Sequence, residues 1–462
     1  MTTMTGGVLF NRTNGTNTGF PPEILVSGQA ARSQSLPPFP HRECGIPNTR
    51  NHFMQNWNIP LLSIPLLLLA SGIQQDHNVC LAGELAVEDF RFDGEYGSEG
   101  ATMERVGKNH FLIHLKKVPE VPNWTNMVQF EITKNARGNP LRIDIAGKTN
   151  ETGLRTFVSW SHDREHWNPV RREIRDEAGK QVASLTFPEF QEDSVFVGGE
   201  VPLSYEHCVR LLKKYEQHPH ATLHPIGTSL RGRDIYRLTI TDPDSPVPAN
   251  KRWAHHFVNL HCYEYNSQWR MIGMIDWLLN EAALDSRQRH VWHFVVQMNV
   301  DGPANGYGRV NSQGRDMNRS YSSKGSDSQT QAFESFLVQR DLEDLVSSDT
   351  SITTTCEMHT WDGAKLDPMM RPGKDMQLRG KDWTGLRDML KTCDRQNQFN
   401  TMVKLPEDKL SPTHWCSGTF IQFGVTAICF EGGGDIYDLK DTLQTGKVIV
   451  QTYSDFYSGT KP

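Results

Sequence analysis

The sequence predicts two domains, an antiparallel β-sandwich over residues 84–198 and an α/β domain over residues 204–458. Two textures carry this reading. In the first stretch, apolar runs of strand length are separated by Gly, Asn, Asp and Pro turns, the pattern of a small all-β module. After Ser204, runs of strand length alternate with longer stretches of helical spacing as far as the C-terminus. A third observation gives the second domain a chemistry: His261, Glu264, His359 and Glu431 all stand at the ends of predicted strands.

In the first domain the predicted strands are Asn109 to Leu115, Asn126 to Thr133, Leu141 to Ile145, Arg155 to Ser159 and Val182 to Phe187. The second domain opens with a helix from Tyr205 to Gln217, whose apolar positions Cys208, Leu211 and Leu212 fall on one face. Its strands are Ile235 to Ile240, His255 to Leu260, His293 to Asn299, Ser351 to Glu357 and Val425 to Phe430. Helices are predicted at Ser267 to Leu284, Gln329 to Leu345, Gly385 to Asn397 and Leu439 to Tyr457.

Composition narrows the function. A chain of 462 residues with 37% hydrophobic content builds ordinary cores. A net charge of −6 without runs of like charge gives no footprint for nucleic acid or an anionic membrane. The eight Cys are scattered with no Cys-x-x-Cys, which excludes a metal knuckle and a disulfide framework. Cys356 and Cys429 lie in apolar runs and are expected as buried thiols. Residues 1–53, rich in Gly, Asn, Thr and Pro, are expected to be disordered. Residues 54–72 have the apolar stretch and the small residues Ala70, Ser71 and Gly72 of a signal peptide, without its usual basic start. With that signal in use the protein is secreted or periplasmic; without it, cytoplasmic. The apolar stretch is too short to cross a bilayer, so no stable membrane insertion is expected.

His261 and Glu264 are an imidazole and a carboxylate leaving one strand end, able to reach one metal ion. With eighteen His in the chain, roughly one His-x-x-Glu pair arises by chance. A twin exists at His162 and Glu165, but it sits in the polar stretch Ser161 to Arg175 and reads as a solvated loop. His261 and Glu264 instead share the strand-end position with His359 and Glu431, where ligands bind in open α/β sheets. Between them lie Asn299-Val-Asp301-Gly302, Arg309 and Asp316-Met-Asn318-Arg319. An Arg beside an Asn offers a planar fork and an amide, the equipment for gripping a carboxylate.

These motifs resemble the zinc metallocarboxypeptidase family, and Glu264-x-Asn266-Ser267-x-Trp269 with Asn299-x-Asp301-Gly302 is similar to its cytosolic carboxypeptidase, deglutamylase-like branch. The resemblance implies a mixed-sheet catalytic domain with one zinc held by His261, Glu264 and His359. It implies Glu431 as the general base, Arg309 as the group polarising the scissile carbonyl, and Asn318 and Arg319 as the clamp for a substrate's terminal carboxylate. It makes Asp316 the carboxylate that orients a ligand His. Members of the branch often remove Glu, and Arg371 would meet such an acidic side chain. Cys262 and Tyr263 depart from the Pro and Gly usual in the branch, and no late phenol is evident between Ser417 and Gly424. His255, His256 and His414 match no motif position and are read as structural. The expected reaction is therefore zinc-dependent removal of a C-terminal residue, Glu among the candidates, from peptides or proteins. An amidohydrolase acting on N-acyl amino acids or cell-wall peptides, and a metal-free binding protein, are the alternatives.

Overall fold

Period-two burial builds the first part of the molecule. In His110–His114, Phe111 and Ile113 are buried while their neighbours are half-exposed, as the pleat of a one-sided strand requires. The computed structural model describes residues 83–117, 124–147, 156–361, 366–371, 377–378, 381–382 and 410–459. The segments read as disordered (1–53) and as a signal peptide (54–72), and the helix expected at 385–397, lie outside them. The described residues all fall within one compact unit, Asn78–Pro462.

Two five-stranded sheets occupy the region predicted as β-rich. One runs Phe90–Arg91, Phe130–Ile132, Val195–Gly199, Phe157–Ser161, Asn168–Arg171; the other runs Thr102–Gly107, His110–His114, Leu141–Ile145, Lys180–Phe187, Glu173–Glu177. Phe130, Ile132 and Val197 of the first share one apolar cluster with Phe111, Ile143 and Leu185 of the second. One pairing departs from the antiparallel expectation: His110–His114 lies parallel to Leu141–Ile145. The chain between them leaves to place Phe130–Ile132 in the other sheet and returns in the same direction. The stretch read as a solvated loop after Ser161 also holds two strands, Asn168–Arg171 and Glu173–Glu177. Both are mostly exposed, which removes the apolar signal by which strands are recognised.

The second part is a seven-stranded mixed sheet in the order Ala221–Thr228, Asp234–Ile240, His290–Val295, Trp253–Asn259, Thr354–Met358, Thr426–Gly432, Leu366–Arg371. The four strands from His290–Val295 to Thr426–Gly432 are mutually parallel; Asp234–Ile240 and Leu366–Arg371 flank them antiparallel, and the outermost Ala221–Thr228 reverses again to run in their direction. All seven residues of Trp253–Asn259 are buried, as expected for a parallel strand covered on both faces. His255 within it is held by Thr354 Oγ1 at 2.8 Å and His290 Nδ1 at 3.0 Å. His256 stacks on Trp415, and burial pushes its pKa down to about 3, leaving it neutral.

Helix Tyr205–Glu216 starts at Ser204, whose hydroxyl accepts the His207 N–H. Helices Tyr265–Leu278 and Leu439–Phe456 pack so closely that a Cβ on Gly446 would lie 1.9 Å from the Arg270 carbonyl oxygen. No helix among the described residues is long and apolar enough to cross a membrane. The parallel strands end on one edge of the sheet, and the candidate residues gather there.

Candidate active site

Glu264 is the N-cap residue of helix Tyr265–Leu278 and ends the short loop that leaves the central strand through His261. Its carboxylate is buried and lies between two imidazoles, with Oε1 2.9 Å from His261 Nδ1 and Oε2 2.8 Å from His359 Nδ1. The Thr360 N–H donates to the same Oε2 at 3.0 Å. Burial opposes ionisation of Glu264, but the positive imidazoles outweigh it and hold the carboxyl well below its usual range.

The chemistry of these atoms fits a cation. The Nε2–H of His261 donates to Asp316 Oδ1 at 3.1 Å, which leaves Nδ1 presenting a lone pair to the Glu264 oxygen. Two lone pairs at that separation repel unless a positive charge, a proton or a metal ion, stands between them. The outer nitrogen of His359 is served in either tautomer: Asn318 Nδ2 lies 3.1 Å from it and Glu357 Oε2 3.5 Å. Ligand atoms of His261, Glu264 and His359 all fall within 4.8 Å of one another. Two His and a carboxylate are a zinc-type donor set, and a carboxylate behind a ligand His is the usual support for one. Glu357, His359 and Cys429 form a second group within the same limit, sharing His359.

The remaining candidates meet this triad in one cavity of about 540 Å³, lined by Glu431, Arg309, Asp316, Asn318 and Arg319 together with His261 and Glu264. Glu431 is the penultimate residue of strand Thr426–Gly432 rather than the first residue beyond it. Burial pushes its pKa up; His359 opposes this, and the nearby Glu264 and Glu357 charges add to it. Arg309 donates from Nε to Asp316 Oδ2 at 2.6 Å and lies over the Trp124 ring, 4.6 Å from its centroid. Asp316 is half-buried, which raises its pKa, yet its bonds with His261 and Arg309 outweigh this and keep it low. Asn318 accepts the Trp415 N–H through Oδ1 at 3.0 Å, and Arg319 reaches the Asn318 carbonyl at 2.7 Å. Arg371 pairs with Ala427, four positions before Glu431 on the neighbouring strand; its side chain lies outside the described part.

Cys262 and Tyr263 have structural work to do. The buried Cys262 thiol donates toward the carbonyls of Tyr307 and Gly308, at 3.0 and 3.3 Å, and so ties the metal-type loop to the loop that carries Arg309. A side chain at Gly302 would collide with it, a Cβ there lying 2.2 Å from Sγ. Tyr263 is buried and stacks on the His261 ring at 19°. The twin pair is elsewhere and does nothing comparable: His162 donates to the Ser194 carbonyl, and Glu165 is exposed.

Sequence reasoning missed several residues here. Arg270, fully buried, donates to the His359 and Gly432 carbonyls, both at 3.0 Å, and so joins the two strand ends that carry His359 and Glu431. The available signal was a lone Arg among the large apolar residues Trp269, Met271, Ile272, Met274 and Ile275 of its helix. His414, read as structural, lines the cavity, as do Glu357, Cys416, Ser417 and Cys429. The expected burial of Cys356 and Cys429 is observed.

The mixed sheet has a carboxypeptidase-like fold. Residues 208–341 match the family model described as zinc carboxypeptidase. Its curated relatives include cytosolic carboxypeptidase 2 of Xenopus tropicalis, 25% identical over 299 residues covering 59% of this chain and 30% of that protein. The Danio rerio protein of the same name is 27% identical over 213 residues, 42% of this chain and 29% of its own. The chain thus spans less than a third of the length of these relatives. Among solved structures, a metallo-carboxypeptidase from Burkholderia cenocepacia superposes with a TM-score of 0.65 at 18% identity, over 79% of this chain and 97% of its own. One from Pseudomonas aeruginosa gives 0.64 at 16%, over 79% and 98%. At these identities the superpositions establish the fold.

The Asp316 contact makes a direct prediction. Asp316→Asn weakens zinc binding by roughly 10- to 100-fold, measured by competition with a chromogenic chelator; unchanged affinity contradicts the orienting role.

Proposed function

We propose that the protein is a zinc-dependent carboxypeptidase that hydrolyses the last peptide bond of peptides or proteins, with one zinc per chain. The observation that supports this best is convergence: one cavity is lined by His261 and Glu264 of the zinc-type triad, a carboxyl group with a raised pKa and an Asn–Arg pair suited to a carboxylate.

His261, Glu264 and His359 would hold the ion. Zinc at that position supplies Lewis acidity toward the scissile carbonyl and toward water. Glu431 accepts the proton of the attacking water and delivers it to the leaving amine; its raised pKa suits a group that must take and then return a proton. Arg309 keeps its Nε on Asp316 and offers its terminal nitrogens to the carbonyl oxygen as negative charge develops, a contact that contributes about 3 kcal/mol. Arg319 and Asn318 bind the substrate's terminal carboxylate, Arg319 through a charge-assisted contact and Asn318 through its amide.

Release of Glu is the narrower proposal and depends on Arg371. Its backbone stands four residues along the strand from the position opposite Glu431, roughly 13 Å at strand spacing, a gap its long side chain must largely bridge.

Glu431→Gln is expected to keep stoichiometric zinc while losing roughly 10²- to 10⁴-fold in kcat; turnover close to the unsubstituted protein removes Glu431 as the base. Mass spectrometry of a peptide library with acidic, basic and apolar ends tests the exopeptidase reading. Single C-terminal residues should disappear, Glu fastest, and Arg319→Ala should depress free-carboxylate peptides far more than their amides. Equal losses on both would contradict the clamp.

A further inference from the structure

The β-rich part contributes a side chain to the cavity. Trp124 lines it beside His261 and Glu264, and the segment that carries Trp124 is locked onto the loop before Arg309. The Met127 N–H donates to the Gly306 carbonyl at 2.9 Å, and a Cβ on Gly308 would lie 2.1 Å from the Thr125 carbonyl oxygen. Only a glycine at 308 lets the two backbones come this close. The indole of Trp124 is then held on three sides: by Tyr263 at 5.6 Å between centroids, by the Arg309 guanidinium at 4.6 Å, and by Trp361 at 6.4 Å with the rings inclined at 58°. Trp361 directly follows Thr360, whose N–H holds Glu264, and is 46% exposed.

The two inclined indoles touch one another at the cavity and together present a joined aromatic surface to a side chain that enters beside them. Aromatic rings meet favourably in offset-stacked and edge-to-face geometries. Exposed Trp surface beside a binding cavity is also apolar area that a ligand can remove from water. We infer that Trp124 and Trp361 form the subsite for the side chain of the penultimate substrate residue, and that this subsite selects an aromatic side chain. The inference rests on the carboxypeptidase reading. If Arg309 meets the scissile carbonyl, that carbonyl belongs to the penultimate residue, so the side chain beside Arg309 and its indole partner is the penultimate one. The Asn318–Arg319 turn and His414 are left to the terminal residue.

The test separates binding from turnover. In the full-length zinc-loaded Glu431→Gln protein, calorimetry compares peptides identical except for Phe or Gly at the penultimate position, and a second pair with the same exchange at the last position. Phe at the penultimate position should bind about tenfold more tightly than Gly, a difference of about 1.4 kcal/mol. Trp124→Ala or Trp361→Ala should bring the ratio to within about twofold, and Trp124→Phe should restore most of it. The inference is overturned if the penultimate ratio is near one, if it survives both alanine substitutions, or if the preference follows the last residue instead. Circular dichroism and zinc content identify a variant that has not folded, in which case Trp124→Phe and Trp361→Ala decide. Release of C-terminal residues by the unsubstituted protein is measured separately. Failure of that release sinks the carboxypeptidase reading; normal release without a penultimate preference sinks only the aromatic subsite.

Discussion

A buried carboxylate shared by two imidazoles is the constraint around which this molecule is arranged. A charged Glu264 away from water is costly unless it is paired and hydrogen-bonded. Here the partners come from different parts of the chain: His261 from its own loop, His359 from the neighbouring strand, and the N–H of Thr360. Holding all three in register requires that the strands end level. Trp253–Asn259 and Thr354–Met358 are parallel and adjacent, with Asn259 opposite Met358. Arg270 fixes the next strand to the same edge through the carbonyls of His359 and Gly432. The sheet, the helix behind it and the buried guanidinium together place Glu431 beside the triad.

The loop from Asn299 to Arg309 is the second shared element. The Asn299 side chain accepts the Gly302 N–H at 3.0 Å and donates to the Val310 carbonyl at 2.9 Å. Cys262 binds the loop from the metal side, and the backbone of Met127 binds it from the β-rich part. Arg309 therefore has its position set by both regions of the protein. A change in either reaches the guanidinium through a few backbone contacts.

Much of this was legible because the ligand-type residues are short-range signals at strand ends. His261 with Glu264, and His359 after an apolar run, could be read before any coordinates. The Asp316 contact with His261 that the family resemblance implies is present at 3.1 Å. The substituents Cys262 and Tyr263 could not be interpreted in advance, since their partners Tyr307, Gly308 and Trp124 are distant in sequence. Trp124 and Arg270 escaped for the same reason: an aromatic after a β-like stretch and a charge inside a helix mean little until a fold brings them to one place. The parallel pairing of His110–His114 with Leu141–Ile145 was hidden because burial alternation is the same in parallel and antiparallel edges.

The central claim is that His261, Glu264 and His359 together hold a single zinc ion. Native mass spectrometry of the purified full-length protein, with elemental analysis for identity, measures this most directly. The account predicts one zinc per chain, lost on substitution of His261, Glu264 or His359 and retained when His162 or Glu165 of the twin pair is changed. A folded protein that binds no zinc, or one whose zinc survives loss of His261 and His359 together, would contradict it.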